Sequence, residues 1–460
     1  MAREERMPTR DHELLLRVDR LAYGGRGVAR HDGLVVFVEG AAPGDLVRVR
    51  VRKARRTFAE ATAVDVLEPS PVRTAPRCPH FGPCGGCIWQ HIDYAAQAQA
   101  KEAIVRESLT HLGGVATPPV RAIVAADDPW YYRNKMEFSF HPVGTLGLHR
   151  RGDWNAIVPI ATCYLQSDVS AALVRAVRAF VEERGLPPYD PRTHRGLLRA
   201  LVVREGRGTG DRLVGLLTTP GPFPAAEAFA RVVREAAPDV TGIVRGVVPG
   251  VADGAPIAAV EPIFGRPYLE EVLGDLRFRI GLETFFQTNT PQAARMVAHV
   301  VSRAAPAPGA RIFDLYCGVG TFALALARAG AAVAGVEAVP AAIEAAQANA
   351  ALNGLKGLDF RAGDVRLVLP ALTAAYGPPD VLVLDPPRSG AGGRVMRKIG
   401  RSGARRVIYV SCNPTTLAPD LKELLPFGYR LLEVQPFDLF PHTYHVEAVA
   451  VLDRDEGGTS

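Results

Sequence analysis

Apolar and polar residues alternate through residues 13–68, in the runs LLLRVDRLAYGGRGVAR, GLVVFVEGAAPGDLVRVRVRKARR and FAEATAVDVLEP, with glycine turns between them. A period of two broken by such turns predicts a small antiparallel, OB-like barrel of about five strands. Pro69, Pro71 and Pro76 mark a linker, and residues 91–113 then carry apolar side chains at helical spacing up to the stop signal Gly113-Gly114. Residues 120–280 mix short strand and helix patterns with no internal repeat, which predicts a separate α+β module. From Arg311 the segments RIFDLY, AAVAGVE, LDFRAG, DVLVLD and RRVIYVS alternate with helical stretches, and YRLLEVQPF and HVEAVAVL follow. That alternation predicts an α/β, Rossmann-like domain with a mainly parallel sheet covered on both faces. The expected division is 8–69 barrel, 70–280 central α+β domain and 281–453 α/β domain, with helix 91–113 able to pack on the last.

In such sheets ligands bind beyond the carboxyl ends of the strands. The first of these strands runs into Asp314-Leu-Tyr-Cys-Gly-Val-Gly-Thr321, the second ends in Glu337, the third in Asp364 and the fourth in Asp385-Pro-Pro-Arg388. A carboxylate at Glu337 suits two ribose hydroxyls, and Gly318-Val-Gly320 lacks the third glycine of a pyrophosphate fingerprint. The set resembles the S-adenosylmethionine site of class I methyltransferases more than a dinucleotide site. The plainer reading, acids acting only as helix caps, accounts for one or two of them.

Cys412 follows the strand RRVIYVS, which puts a thiol at the ligand edge of the sheet. Carbon 5 of uracil is too weak a nucleophile to take a methyl group unaided. A thiolate adding at C6 makes C5 carbanion-like, and a base must then remove the C5 proton so that the thiol can leave. Glu447, in His445-Val-Glu447, is the candidate base. Ser411-Cys412-Asn413-Pro414, Asp385-Pro-Pro-Arg388, Phe286-Gln287-Thr-Asn289 and His445-Val-Glu447 resemble the motifs of the RNA uridine-5-methyltransferase family, from about residue 13 to 451. The resemblance implies Cys412 as nucleophile and Glu447 as base, with Gln287, Tyr316, Thr321, Glu337, Asp364 and Asp385 at donor-binding positions. It also implies that the barrel is a TRAM domain, as in the ribosomal branch. Tyr316 and Thr321 stand where relatives often have Phe and Asn.

Six cysteines lie at 78, 84, 87, 163, 317 and 412. Cys78-x5-Cys84-x2-Cys87, with Cys163 as fourth, suits tetrahedral zinc or an iron-sulfur cluster. The family resemblance points to a structural [4Fe-4S] cluster, and the Cys-x3-Cys-x2-Cys spacing of radical enzymes is absent. The net charge of +6, carried by 48 arginines and 6 lysines, favours a polyanionic partner, although a general Arg bias dilutes the signal. Arg48, Arg50 and Arg52 alternate and could meet phosphates, or form a solvated strand edge. Tyr131-Tyr132-Arg133-Asn134-Lys135 and His149-Arg150-Arg151 combine aromatics with cations as an RNA surface would, and Arg133, Asn134 and Lys135 match the family's YRNK motif. A charged N-terminus and no run of about 18 apolar residues point to a cytoplasmic protein without a membrane span, expected as a monomer. The expected substrate is 23S rRNA, with the tRNA T-loop as alternative. Two rivals predict other residues: a cytosine-5 methyltransferase would carry Pro-Cys at 385–388, and a non-catalytic RNA-binding iron-sulfur protein would lack the nucleophile or the base.

Overall fold

The computed structural model describes residues 8–142, 146–252 and 255–455. The alternating N-terminal runs become β1 (Glu13–Leu21), β2 (Gly27–His31), β3 (Leu34–Glu39), β4 (Leu46–Ala54) and β5 (Phe58–Glu68), closed in the order β1-β2-β3-β5-β4. Leu14, Leu16, Val36, Val38, Val47 and Val49 point inward and fill the barrel. Arg48 and Arg50 face outward as the alternation predicts, but they are not free cations waiting for phosphate. Arg48 pairs with Asp65, Arg50 reaches Glu13 at 2.9 Å, and Arg52 lies 3.4 Å from the Thr62 hydroxyl. Because β4 is paired on both sides, with β1 and β5, these arginines form a solvated, partnered outer face of a closed barrel and not a strand edge.

Helix α1 (Tyr94–His111) is capped by Asp93, which accepts from the Ala95 and Ala96 amides. The central sheet holds β6 (Lys135–Phe140), β7 (Leu146–Arg150), β8 (Asp153–Pro159), β9 (Leu198–Glu205), β10 (Arg212–Thr218), β11 (Gly242–Val247) and β12 (Ala259–Gly265), in the order β12-β11-β10-β9-β6-β7-β8. Its α2 (Asp168–Arg184) and α3 (Ala226–Ala236) bury Leu173, Val177, Phe229 and Val233 in one core with Phe138 and Leu201 of the sheet. The hairpin β13 (Tyr268–Leu273) and β14 (Leu276–Gly281) follows. Its Leu269, Phe278 and Ile280 share a core with Val202 and Leu213 of the central sheet and with Ile312 and Val383 beyond it.

The C-terminal half comprises α4 (Thr290–Ala304), β15 (Arg311–Leu315), α5 (Thr321–Arg328), β16 (Ala332–Glu337), α6 (Pro340–Leu352), β17 (Leu358–Ala362), α7 (Val365–Tyr376), β18 (Val381–Leu384), α8 (Gly392–Arg401), β19 (Arg406–Ser411), α9 (Pro414–Lys422), β20 (Tyr429–Phe437) and β21 (Glu447–Arg454). The strand order is β17-β16-β15-β18-β19-β21-β20. Strands β15 to β19 pair in parallel, whereas β21 runs antiparallel to β19 and β20. Val381 and Val383 enter the core on one face, and Leu382 and Leu384 that on the other. Burial on both faces explains why these strands read as unbroken apolar runs.

Helix α1 is pinned to this half by an ion pair sealed from solvent: Lys101 Nζ lies 2.6 Å from Asp438 Oδ1 and donates to the Phe440 carbonyl at 2.9 Å. Removing the cation strands a buried carboxylate. Lys101→Met is expected to lower the unfolding free energy by about 3–5 kcal/mol, read from the urea midpoint. A midpoint equal to that of the parent protein would show that the pair does not hold α1 in place.

Candidate active site

Beyond β15 the chain turns through Tyr316 at φ 62° and Gly320 at φ 88° before entering α5. A Cβ at Gly320 would lie 2.5 Å from Leu324 Cδ1, so the tight turn requires glycine. Thr321 is the first residue of α5 and is buried. Glu337, at the end of β16, accepts from the Gly318 amide at 3.2 Å and the Val339 amide at 3.0 Å, which fixes its carboxylate against the glycine turn. Asp364 instead caps α7 and pairs with Arg366, whose hydrogen bonds hold its carboxyl down to about 2. For this residue the cap reading describes the geometry directly. Gln287 is buried, with its amide 3.5 Å from Asp385 Oδ2. Asp314, under the turn, is fully buried with neither carboxylate oxygen partnered, and burial raises its carboxyl well above the usual range.

The reversed last strand brings the two catalytic candidates together. Cys412 follows the carboxyl end of β19 and Glu447 opens β21, with Ser411 opposite Ala448 across the ladder. Glu447 is buried, and burial plus the nearby Asp385 push its carboxyl up to about 8. Burial raises Asp385 to about 7. The Cys412 thiol is pushed up to about 12 by burial and by Glu447 and Asp385, against an opposing pull from Arg388. The Arg388 guanidinium donates to the Tyr444 hydroxyl at 2.8 Å and lies 3.4 Å from the hydroxyl of Tyr23, a barrel residue. Its carbonyl accepts from Asn413 Nδ2 at 3.1 Å, tying it to the residue after Cys412. Tyr23 packs edge-on against Tyr444 at 5.1 Å.

Cys78, Cys84, Cys87 and Cys163 line a single small cavity together with Phe81, Leu148 and Ile160. Burial raises all four thiols, Cys163 to about 11 and Cys87 to about 12. Among the described residues no three His, Cys, Asp or Glu side chains are grouped to hold one metal ion. The donor set is soft and lines one small cavity, which suits a sulfur-ligated centre, zinc or iron-sulfur.

Of the residues expected at an RNA surface, Asn134 is buried. Its amide donates to the Gln287 carbonyl at 2.8 Å and to Thr290 Oγ1 at 2.9 Å, so it staples the donor-side segment rather than facing outward. Arg133 and Lys135 are half-buried, and Lys135 lies 3.9 Å from Glu137. Arg151 donates to the Cys87 carbonyl and so steadies the cysteine loop. Beside it Trp154 is 73% exposed and lies 4.7 Å from the His149 ring.

A family model for tRNA (Uracil-5-)-methyltransferase matches residues 263–455, and one for the TRAM domain matches residues 11–64. A protein of Nitratidesulfovibrio vulgaris named an uncharacterized RNA methyltransferase is 41% identical over 448 residues, 95% of each chain. One of the same name from Gloeobacter violaceus is 39% identical, again over 95% of each. The chain belongs to the RNA uracil-5-methyltransferase family. It is similar in structure to the Pyrococcus abyssi tRNA (uracil-54, C5)-methyltransferase solved with S-adenosyl-L-homocysteine, with a TM-score of 0.77 and 29% identity over 95% of this chain and 100% of that one.

This S-adenosylmethionine-dependent RNA methyltransferase carries a TRAM barrel whose Tyr23 reaches Arg388, beside the candidate nucleophile. Tyr23 and Tyr444 escaped the sequence reading because a contact between domains leaves no periodic trace; Arg388 was visible only as part of Asp-Pro-Pro-Arg.

The raised carboxyl has a consequence for stability. Unfolded, Glu447 ionises near pH 4.3, whereas folded it keeps its proton to about 8. The native state therefore binds the extra proton between these limits; its contribution is complete below about pH 4 and is lost as pH rises through about 8. Each pH unit in that window removes up to about 1.4 kcal/mol. Urea midpoints at pH 5, 7 and 8.5 are expected to decline in the parent protein and to decline less in Glu447→Gln; equal slopes would mean that Glu447 is ionised throughout.

Proposed function

We propose that this RNA methyltransferase methylates carbon 5 of a uridine through a covalent bond between Cys412 and C6. The observation that carries the reading is the meeting of Cys412 and Glu447 on adjoining strands, beside Asp385. In the proposed sequence the Cys412 thiolate adds to C6, and the electron pair placed on C5 displaces the sulfonium-bound methyl group, releasing S-adenosylhomocysteine. Glu447 then takes the C5 proton, the C6–S bond breaks and the thiolate is restored. Gln287, Tyr316, Thr321 and Glu337 would hold the donor, with Asp385 between donor and uracil. Asp364 would join them on release from Arg366.

The proposal includes a structural [4Fe-4S] cluster on Cys78, Cys84, Cys87 and Cys163. The four thiols share one cavity, a donor set that suits such a cluster, with zinc as the alternative metal. Bound there, the cluster would supply positive charge to thiols that burial otherwise keeps protonated. Four irons and four sulfides per chain are expected after anaerobic purification, falling sharply in Cys84→Ser; stoichiometric zinc would replace the cluster reading.

We favour 23S rRNA as substrate, for a monomeric enzyme in the cytosol, on the combination of TRAM barrel and cysteine loop. The Pyrococcus abyssi structure, which this chain matches over 95% of its length, favours a tRNA T-loop as a second reading. Total RNA carrying 5-fluorouridine distinguishes them, because fluorine at C5 cannot leave as a cation and the adduct stalls. A denaturation-resistant protein–RNA adduct is expected, absent in Cys412→Ala, and sequencing the trapped strand names the RNA. Methylation of ordinary RNA with no adduct would rule out the covalent uridine route.

A further inference from the structure

Between the barrel and α1 lies an open cleft of about 320 Å³, lined by Tyr23, Val28, Val35 and Phe37 on one side and Ile104 and Glu107 on the other. Its barrel wall breaks the rule of its own strands. On β3 the inward positions Val36 and Val38 are fully buried, and the outward positions, polar in an ordinary solvated barrel strand, are Val35 and Phe37. The ladder sets Val28 beside Phe37, Arg30 beside Val35 and Phe58 beside Val35 on this outer face. Phe37 and Phe58 meet edge-on at 5.9 Å. An aromatic and aliphatic platform therefore faces the cleft, half-buried rather than sealed, with Arg30 exposed at its rim.

The opposite edge is polar. Arg20 Nε lies 3.1 Å from Glu107 Oε1, so a donor and an acceptor sit side by side at the cleft wall. Tyr23 belongs to both compartments. It lines the cleft, and its hydroxyl lies 3.4 Å from Arg388, whose carbonyl accepts from Asn413, the residue after Cys412. The turn carrying Tyr23 is held in place: Gly25 adopts φ 87°, a Cβ there would lie 2.2 Å from Ile88 Cδ1, and its carbonyl accepts from Trp89 Nε1 at 2.9 Å.

We propose that this cleft binds an unpaired nucleobase of the substrate RNA, next in the chain to the target uridine, stacked on Phe37 and Tyr23 with its edge against Arg20 and Glu107. The proposal rests on the reading of the protein as an RNA uridine methyltransferase and deepens it. The chemistry matches on three counts. A flat aromatic platform accepts any base by stacking, the Arg30 rim suits the adjoining phosphate, and Tyr23, Arg388 and Asn413 link the cleft to the segment carrying Cys412. The barrel would thus share in choosing the target by requiring a splayed neighbour.

The test uses total RNA from cells lacking this protein as methyl acceptor, with radiolabelled S-adenosylmethionine. Phe37→Ala is expected to raise KM for RNA by roughly tenfold through lost stacking. The kcat, the Kd for S-adenosylmethionine and the urea midpoint should stay unchanged, and Phe37→Tyr should restore KM. Near-ultraviolet crosslinking to the same RNA carrying 4-thiouridine should label the peptide containing residues 34–39 in the parent protein. An unchanged KM in Phe37→Ala, or equal losses of midpoint and kcat in both variants, overturns the cleft proposal. Absence of any 5-methyluridine in RNA treated with the parent protein overturns the uridine reading itself, and the cleft with it.

Discussion

The direction of the last strand constrains everything at the catalytic edge. In a wholly parallel sheet the residues opening a strand lie at the far edge from the ligand, so a base at the start of β21 would be useless. Because β21 runs antiparallel to β19, its first residue, Glu447, stands beside the end of β19 and hence beside Cys412. The connection that makes the reversal, residues 438–446, must then lie across the ligand edge with little freedom. It is anchored from every side. Lys101 and Gln97 of α1 hold Asp438 and His442, Asn289 and Gln292 of α4 hold the Leu439 and Asp438 carbonyls, and Ile88 and Trp89 donate to the His442 carbonyl. His442 itself sits at φ 64° with Trp130 stacked on its ring at 3.9 Å, a conformation that only dense packing maintains.

The charges beside Cys412 suit the cationic donor of the proposed mechanism. Glu447 and Asp385 are both raised by burial and Glu447 further by its neighbour, and together they oppose ionisation of Cys412. A sulfonium group entering beside them shifts all three in the useful direction, since positive charge favours thiolate and carboxylate alike. On the proposed mechanism that charge would leave with the methyl group, so that thiol activation would depend on a donor still carrying it, and Arg388, linked to Tyr444 and Tyr23, opposes the rise of the Cys412 thiol independently of any donor.

How much of this was legible in the chain depends on the range of the interaction. The barrel strands, α1 and the seven strands from Arg311 onward follow from periods of two and 3.6 and from glycine punctuation, because burial on one face or two imposes those periods directly. The positions of Glu337 and Cys412 at the ligand edge followed from strand ends alone, whereas Glu447 opens its strand and was named only through its motif and the family resemblance, because the reversal of β21 that brings it to that edge leaves no trace in the pattern. Asn134 shows where such reasoning fails. Polar residues beside aromatics read as a surface, yet its amide is satisfied inside by Gln287 and Thr290, partners about 150 residues away. Asp364 differs, since its cap on α7 and its pair with Arg366 are local interactions that its place after a strand does not reveal. The paired arginines of β4 repeat the lesson: alternation gives the face on which a side chain lies, and only the neighbouring strands give its partner.

The cysteine loop has a mechanical consequence that does not depend on what the thiols bind. Three of the four cysteines lie just before Ile88 and Trp89, the residues that hold both the His442 carbonyl and the Gly25 turn carrying Tyr23. Cys163 lies beside Tyr164 and Leu165, whose carbonyls accept from the Tyr131 and Arg133 amides. Arg77, one residue before Cys78, stacks over the Tyr164 ring at 4.2 Å. Any group that joins the four sulfurs therefore stiffens the support under Tyr23 and under the strand connection leading to Glu447. Loosening it would disturb the mouth of the pocket and the base together, although neither is in contact with the cysteines. The cysteine loop is thus tied, through Ile88 and Trp89, to the His442 carbonyl in the connection that leads to Glu447.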